Sequence, residues 1–262
     1  MSYISQYIQS INSSDRKIFT TFLTTGFPEK EKFVETAVEI LNAGADIFEL
    51  GIPFSDPVAD GSVIQSASQQ VLANNVTIND VFDSAYKIKK TTNKPLILMG
   101  YANPLFNYGT KEFFRRAAES GVDGVIIPDI PLEEYNTFFP SDSNGIDKIL
   151  LTTPATKSER IKEVDQKSEG FVYCVSVKGT TGGKNVFLDE VVQNVKNTYK
   201  QISRNKMLVG FGINSPQDIK KIKEHCDGVI VASAIMRMMQ KENYKIDEVL
   251  NFVSELSAAC NS

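Results

Sequence analysis

The chain has 262 residues, 42% of them hydrophobic and 23% charged, and this length suits one large domain, since α/β barrels reach about 200–250 residues without splitting. The net charge of −4 gives no overall attraction to nucleic acid or to an anionic membrane, and no apolar run approaches the roughly 18 residues that span a bilayer. The chain has a single histidine and no CxxC or HExxH spacing, which argues against a His/Cys metal site. Its three cysteines are scattered, which favours a reducing, cytoplasmic setting. The amino terminus lacks the pattern of a signal peptide.

A short amphipathic helix is predicted at the amino terminus, within residues 2–12. Apolar residues recur there at helical spacing, namely Ile4, Tyr7, Ile8 and Ile11. A helix on a membrane surface would have the same periodicity, but this stretch carries no lysine or arginine to meet anionic lipid. We therefore expect residues 1–14 to form an extra helix that plugs one end of a barrel built from residues 15–262.

Strand-like and helix-like segments alternate through the rest of the chain. Strands are predicted at residues 18–23, 47–50, 96–99, 124–127, 148–151, 171–175, 207–209 and 228–231. Helices are predicted at residues 31–43, 78–90, 111–120, 132–139, 158–166, 188–199, 216–224 and 247–256. Eight strands alternating with eight helices predict a (β/α)8 TIM barrel of the α/β class in a single domain. A doubly wound open sheet would alternate in the same way, but the GxGxxG fingerprint of a dinucleotide site is absent.

A weak internal repeat supports the barrel. Asp46, Asp123 and Asp227 each stand between the end of a predicted helix and the start of an apolar strand. They are 77 and then 104 residues apart. These gaps fit two and three βα units of about 35–38 residues, as a barrel of this length would have.

The second predicted strand runs into a loop rich in acidic residues. Glu49 falls inside the apolar run, although glutamate is seldom fully buried unless it is paired. Pro53 and Pro57 then stiffen a loop that carries Asp56 and Asp60. Because the catalytic groups of a barrel lie at the carboxyl ends of its strands, this loop is the predicted active site.

Each of these acids also has a structural interpretation. Glu49 could be a salt-bridged core residue, and Asp60 could cap the helix that begins near Ser62. Asp56 could shape the turn before Pro57. A carboxyl group among apolar side chains has a raised pKa and can exchange protons, while a second, better solvated one stays ionised. Because the chain offers no activated cysteine, metal or suitable histidine, we expect Glu49 and Asp60 to be the acid–base groups.

The loops after the last three predicted strands suit an anion. The segment 210–212 places two glycines around a phenylalanine, which lets backbone N–H groups approach an oxyanion. Ala232 and Ser233 follow the eighth strand, where a short helix would point its N–H groups at the same anion. The sixth loop, residues 178–184, is glycine-rich, basic and long enough to act as a lid. These loops favour a phosphate-bearing substrate, with plain tight turns as the alternative.

Four stretches resemble the tryptophan synthase alpha chain family, and nearly all of the chain can be matched to that family. They are residues 22–28, 48–65, 100–107 and 127–134. The resemblance implies retro-aldol cleavage of indole-3-glycerol phosphate to indole and glyceraldehyde 3-phosphate. It also implies a beta chain partner in an α2β2 heterotetramer, and this partner takes the indole through a tunnel. In relatives the beta chain is faced by residues 100–107, 127–134 and the 53–60 loop. Pyridoxal phosphate is expected only in that partner, and no cofactor in this chain.

The same resemblance implies roles for individual residues. Glu49 matches the general acid–base that handles protons at indole C3 and at the glycerol hydroxyl, and Asp60 matches the carboxylate that stabilises the indole N–H. Phe22, Tyr101 and Tyr173 match walls of the indole pocket. The remaining matches are Gly182, Phe211, Gly212, Ile213, Ala232 and Ser233 in the phosphate site, and Thr181 in the lid, where it helps to position Asp60.

Two positions depart from the family pattern. Ala232 stands where glycine is usual, which puts a methyl group near the phosphate path, and Lys178 stands where a small hydroxyl residue is usual. Neither change removes a catalytic group. Three other functions stay open: a lyase that releases free indole without a partner, a subunit that only activates its beta chain, and another phosphate-binding barrel such as an isomerase. Turnover with and without a beta chain distinguishes the first, intact Glu49 and Asp60 argue against the second, and residues 48–65 argue against the third.

Overall fold

The computed structural model describes residues 1–176 and 189–261. Within them, eight parallel strands form a closed barrel in chain order, with each strand paired to the next and the last paired to the first. The strands are β1 (Ile18–Thr24), β2 (Ile47–Gly51), β3 (Leu96–Met99), β4 (Gly124–Ile126), β5 (Asp147–Thr152), β6 (Phe171–Val175), β7 (Lys206–Gly210) and β8 (Gly228–Val231). The predicted barrel is therefore confirmed, and the open doubly wound sheet is excluded because β1 and β8 are hydrogen-bonded neighbours.

The helices of the described residues follow the predicted alternation. They are α1 (Tyr3–Asn12), α2 (Phe33–Asn42), α3 (Ser62–Ala73), α4 (Ile78–Lys89), α5 (Ala102–Tyr108), α6 (Thr110–Glu119), α7 (Tyr135–Phe138), α8 (Ser158–Lys167), α9 (Asp189–Tyr199), α10 (Pro216–Ile222), α11 (Ser233–Met239) and α12 (Ile246–Ala259). The predicted helix at 132–139 is instead a 3-10 turn, Leu132–Glu134, followed by the single turn of α7. Helix α3 is the helix expected to begin near Ser62, α11 is the short helix expected after the eighth strand, and α5, which follows β3, was not predicted. No helix in this part of the chain is both long and apolar enough to cross a membrane.

The repeated aspartates join neighbouring strands at the amino end of the barrel. Each carboxylate accepts the backbone N–H of the preceding strand at 2.9 Å: Phe19 for Asp46, Leu96 for Asp123 and Met207 for Asp227. Each also pairs with a basic side chain: Arg16, Lys89 and Lys206 respectively. Glu169 does the same before β6, because it accepts the Lys148 N–H at 3.0 Å and pairs with the Lys148 ammonium at 3.5 Å. The repeat is thus a clamp before every even-numbered strand.

Helix α1 covers the amino end of the barrel, as predicted. Ser2 is its N-cap and accepts the Ser5 N–H at 3.3 Å. The Ser5 hydroxyl donates to the Gly170 carbonyl at 2.9 Å, which ties the helix to the start of β6. Ile4 and Ile8, on the face of α1 that points to the barrel, are fully buried. The amino end is therefore closed by side chains, and a substrate must enter at the carboxyl end of the strands.

Candidate active site

Glu49 lies inside the barrel, two residues before the end of β2. Its register neighbours are Phe22 on β1 and Ile97 on β3, so its carboxyl group faces an apolar surrounding. The side chain is 0% exposed, and neither carboxylate oxygen has a hydrogen-bond partner among the described residues. Burial raises the pKa of Glu49 to about 8, because the charged form is poorly solvated there. No ion pair to Glu49 occurs in this part of the chain, so the salt-bridge interpretation has no support.

Asp60 lies in the loop after β2 and is held by Tyr101. The Tyr101 hydroxyl donates to Asp60 Oδ2 at 2.9 Å and accepts the Ala59 N–H at 3.1 Å. Burial raises the pKa of Asp60 to about 6, and the hydrogen bond from Tyr101 works in the opposite direction. The N-cap of α3 is Gly61, so Asp60 does not cap that helix. Two carboxyl groups with different pKa values therefore belong to one strand and the loop after it: Glu49 lies in β2, and Asp60 lies in the loop.

Aromatic residues form the walls around these carboxyl groups. A Cβ at Gly51 would overlap the tip of the Phe22 ring, so the ring lies directly against the end of β2. Tyr173 on β6 is buried, and a Cβ at Gly210 would overlap its hydroxyl. The pKa of Tyr173 is raised well above its ordinary value, first by burial and then by the negative charges of Glu49 and Asp60. Phe22 is therefore the register neighbour of Glu49, and Tyr173 lies close enough to both carboxyl groups for their charges to act on it.

The predicted phosphate residues follow two neighbouring strands. Phe211 and Gly212, after β7, both have left-handed backbones, with φ of 69° and 78°. This conformation is uncommon for phenylalanine, and the Phe211 carbonyl accepts a hydrogen bond from the Ser176 hydroxyl. Ala232 follows β8 as the N-cap of α11, and Ser233 is the first residue of that helix. Because β7 and β8 are parallel neighbours, the 211–213 and 232–233 segments emerge at the same edge of the barrel.

The sixth loop carries predicted residues that lie outside the described part of the chain. These are Thr181 and Gly182, together with Lys178, one of the two departures from the family pattern.

Among the cavities lined by described residues, two open at this edge. The larger, of about 580 Å³, is lined by Ala59 and Phe211 and by residues that follow β4 and β5. The smaller, of about 10 Å³, is lined by Phe22, Asp60 and Tyr101 and has room for about one water. Of these two cavities, the larger has the volume of a small-molecule site and the smaller adjoins Asp60.

Sequence reasoning missed part of the lining and one contact. Ile127, Leu151 and Val175 line the larger cavity where β4, β5 and β6 end. Their position as the last apolar residues of predicted strands was an available signal. Tyr101 was expected only as a wall, and its hydrogen bond to Asp60 had no local signal because the two residues are 41 positions apart.

The arrangement suits proton transfer without a metal ligand set. Near neutral pH a carboxyl group with a pKa of about 8 is mostly protonated, and one with a pKa of about 6 is mostly ionised. A neutral acid and an anionic partner at the end of one strand and in the loop after it can protonate a substrate and stabilise the positive charge that results. Among residues 1–176 and 189–261, no three His, Cys, Asp or Glu side chains are grouped so as to hold a metal ion.

Comparison with known proteins identifies the family. The model of the tryptophan synthase alpha chain family matches residues 8–261. The chain is 40% identical over 244 residues to the tryptophan synthase alpha chain of Petrotoga mobilis, covering 93% of this chain and 92% of that protein. It is 38% identical over 260 residues to the alpha chain of a Thermoanaerobacter species, covering 98% of each.

Solved structures agree with this result. A chain of Mycobacterium tuberculosis tryptophan synthase in its aminoacrylate-bound form superposes with a TM-score of 0.88, at 26% identity over all of both chains. The Legionella pneumophila tryptophan synthase alpha chain superposes with a TM-score of 0.86, at 31% identity over 99% of this chain and 97% of that one. The two carboxyl groups at the end of β2 are thus set in a barrel of known type, and the chain belongs to the tryptophan synthase alpha chain family.

Proposed function

We propose that Glu49 and Asp60 are the two groups with which this chain carries out its reaction. As a tryptophan synthase alpha chain, the protein is a carbon–carbon lyase that cleaves indole-3-glycerol phosphate to indole and glyceraldehyde 3-phosphate. The observation that carries the assignment is the pair of raised pKa values, about 8 and about 6, at the end of one strand. Perturbed carboxyl groups in a cleft are typical of acid–base sites.

Glu49 supplies and then recovers one proton. The neutral carboxyl group protonates indole C3, and the positive charge that develops at the ring nitrogen is stabilised by the ionised Asp60 beside its N–H. The Glu49 carboxylate then takes the proton of the glycerol hydroxyl next to the scissile bond. As that C–O becomes a carbonyl, the bond to C3 breaks and its electron pair returns to the ring. Glu49 ends protonated again, so the cycle balances.

The surrounding residues bind the two ends of the substrate. Phe22 and Tyr173 pack against the indole ring, and Tyr101 holds the Asp60 carboxylate beside the N–H of that ring. The phosphate binds the backbone at two segments, Phe211, Gly212 and Ile213 after β7 and Ala232 and Ser233 after β8. The left-handed backbone at 211–212 supports this, because successive N–H groups in such a conformation form a concave anion site. In this proposal Gly182 completes the phosphate site and Thr181 is the lid residue that helps to position Asp60.

The partner in this proposal is the beta chain of an α2β2 heterotetramer. Val58 and Phe106, in the loop after β2 and in α5, are 74% and 73% exposed although both are large and apolar. They belong to the carboxyl end of the barrel, where the substrate enters. Exposed apolar groups at a rim are typical of a protein interface. The released indole passes from this face to the beta chain, where tryptophan is made.

No cofactor is assigned to this chain, and its location is proposed to be cytoplasmic. The proton transfers above need only carboxyl groups, so pyridoxal phosphate is required only by the chemistry of the beta chain. Cys174, Cys226 and Cys260 are buried free thiols. Unpaired thiols are typical of a reducing compartment, which supports the cytoplasmic setting.

The test is cleavage of indole-3-glycerol phosphate by the purified chain, with and without a beta chain, for wild type and Glu49→Gln. We expect slow cleavage alone, strong stimulation by the partner, and a loss of about 10²–10⁴-fold in Glu49→Gln in both conditions. Fast cleavage that the partner does not change would show a lyase that acts alone. A fully active Glu49→Gln would overturn the assignment of Glu49.

A further inference from the structure

Tyr101 is held by hydrogen bonds at both of its ends. On the backbone side, the Gly100 N–H donates to the Ile126 carbonyl at 3.1 Å, and the Ala102 N–H donates to Asp129 Oδ1 at 2.9 Å. At the other end the hydroxyl bonds Asp60 and the Ala59 N–H. Tyr101 therefore bridges the segment after β4 to the catalytic loop after β2.

Asp129 makes the backbone-side link that does not belong to the sheet. The bond from Gly100 to Ile126 extends the ladder in which Met99 pairs with Ile126. Asp129 instead lies three residues beyond the end of β4, on an exposed turn. Its carboxylate contacts the segment after β3, where it accepts the Ala102 N–H, and the residues next to Asp129 in the sequence do not determine that contact.

The bond from Asp129 replaces a missing helix cap. Ala102 is the first residue of α5, and Tyr101, its N-cap, makes no side-chain capping bond. The first N–H groups of a helix need an acceptor from outside the helix. A carboxylate there is favoured by the partial positive charge of the helix start. Asp129 thus anchors the first turn of α5, and with it the backbone of Tyr101, to β4.

The position of the Tyr101 hydroxyl depends on this anchor. The ring is 3% exposed and packs against Phe54 with centroids 5.6 Å apart, so it moves with its backbone rather than freely. A small displacement takes the hydroxyl out of hydrogen-bond range of the Asp60 carboxylate, to which it donates at 2.9 Å. Misplacing a reacting group by about 1 Å can cost about 10²-fold in rate.

We propose that Asp129 is a positioning residue of the reaction: it holds Tyr101 through the Ala102 N–H, and Tyr101 holds Asp60. The proposal rests on the proposed role of Asp60. Asp129 itself does not touch the substrate. Its side chain acts on the rate only through the geometry of the Tyr101–Asp60 hydrogen bond.

The test uses the purified full chain without a beta chain, so that changes at a partner surface have no effect. Asp129→Ala should lower kcat about five-fold and leave KM within about two-fold, because a hydrogen bond of ordinary strength is lost behind the site. Asp129→Asn keeps an oxygen that accepts the Ala102 N–H and should restore kcat. The matched control is Asp142→Ala. Asp142 is also an exposed aspartate that accepts one backbone N–H, from Asn144 at 2.8 Å, but it precedes β5 at the opposite end of the barrel.

A double-mutant cycle separates this route from a general loss of structure. In the Tyr101→Phe background, Asp129→Ala should cost clearly less than it does in wild type, because the two changes disrupt one connection. Additive effects, or a kcat of Asp129→Ala equal to that of wild type, would overturn the proposal. Thermal unfolding of each variant shows whether it is folded, and Asp129→Asn keeps the test valid if the alanine variant is not.

Asp60→Asn distinguishes failure of this proposal from failure of the site assignment. If Asp60→Asn is as active as wild type, the role of Asp60 is wrong and the role of Asp129 falls with it. If Asp60→Asn is inactive while Asp129→Ala behaves like Asp142→Ala, only the positioning role is wrong.

Discussion

The pKa values of Glu49 and Asp60 differ because Asp60 accepts a hydrogen bond and because Glu49 is more deeply buried. Both are raised by burial, but Asp60 accepts a hydrogen bond from Tyr101, and Glu49 has no partner among the described residues. A hydrogen bond to the charged form favours ionisation, so Asp60 stays an anion where Glu49 stays an acid. The proposed division of roles between the two carboxyl groups thus follows from their surroundings.

The pH profile of kcat/KM should be bell-shaped. Activity needs ionised Asp60 and neutral Glu49, so it should fall below about pH 6 and above about pH 8. Tyr101→Phe removes the hydrogen bond that lowers the pKa of Asp60, so the acidic limb should move to higher pH. The substrate phosphate also titrates near about pH 6, but its limb does not move in this variant. An acidic limb at the same pH in both proteins would show that Asp60 does not control it.

Glu49→Gln should stabilise the protein while it abolishes activity. Unfolded Glu49 ionises near its ordinary pKa of 4.5 and the folded residue near about 8, so the folded state binds more protons between these values. The contribution of Glu49 to stability therefore falls as the pH rises through that window. We expect the variant to be more stable by about 1–3 kcal/mol at pH 8, and by less at pH 5. Urea unfolding at both pH values tests this, and an equal difference at both would contradict it.

At the scale of the element, the barrel is held at its amino end by a repeated clamp. An acidic residue before β2, β4, β6 and β8 accepts an N–H of the preceding strand and pairs with a base. Parallel strands leave such N–H groups without a partner where the ladder begins. The acidic residues therefore satisfy the strand starts at the end opposite the chemistry.

Asp227→Ala should lower stability and leave kcat unchanged. The change leaves the buried Met207 N–H without its acceptor and Lys206 without its ion pair, which should cost about 2 kcal/mol. Asp83→Ala, an exposed aspartate on α4, is the control and should lie within about 0.5 kcal/mol of wild type. Chemical unfolding and cleavage assays measure the two effects. A drop in kcat as large as the loss of stability would show that the clamp reaches the active site.

At the scale of the whole molecule, stability and chemistry are placed at opposite ends of one barrel. The amino end holds the clamps and the buried face of α1, and the carboxyl end holds Glu49, Asp60, the cavity of about 580 Å³ and the exposed side chains of Val58 and Phe106. We propose that residues 1–262 form a single domain, with 1–14 as its helical plug and 15–262 as its barrel. Changes at the plug should then alter unfolding of the whole and spare the reaction.

Ile4→Ala tests this proposal. Ile4 lies on the buried face of α1, so removal of its side chain should lower the free energy of unfolding by about 2–4 kcal/mol, in one cooperative transition. The value of kcat at a temperature where the variant is folded should match wild type. Gln6→Ala, on the exposed face of α1, serves as the control. A separate early transition with the rest unchanged would show that the helix unfolds independently of the barrel.

The sequence alone was enough to predict the barrel and to single out the acid–base pair that we propose. Eight apolar runs alternate with helical periodicity, and this pattern determines which face each side chain takes and where each turn falls. Glu49 at a strand end and Asp60 in the next loop were recognisable because buried acids are rare. The single turn of α7 and the extra helix α5 were less predictable, because short helices depend on contacts rather than on periodicity.

Contacts between loops were decided only by the tertiary structure. Tyr101 meets Asp60 across 41 positions, and Asp129 meets Ala102 across 27. Glu169 acts as the fourth clamp although its residue type and spacing differ from those of the three aspartates. The physical reason is that local sequence sets the direction of a side chain, whereas closure of the barrel sets which strand ends become neighbours.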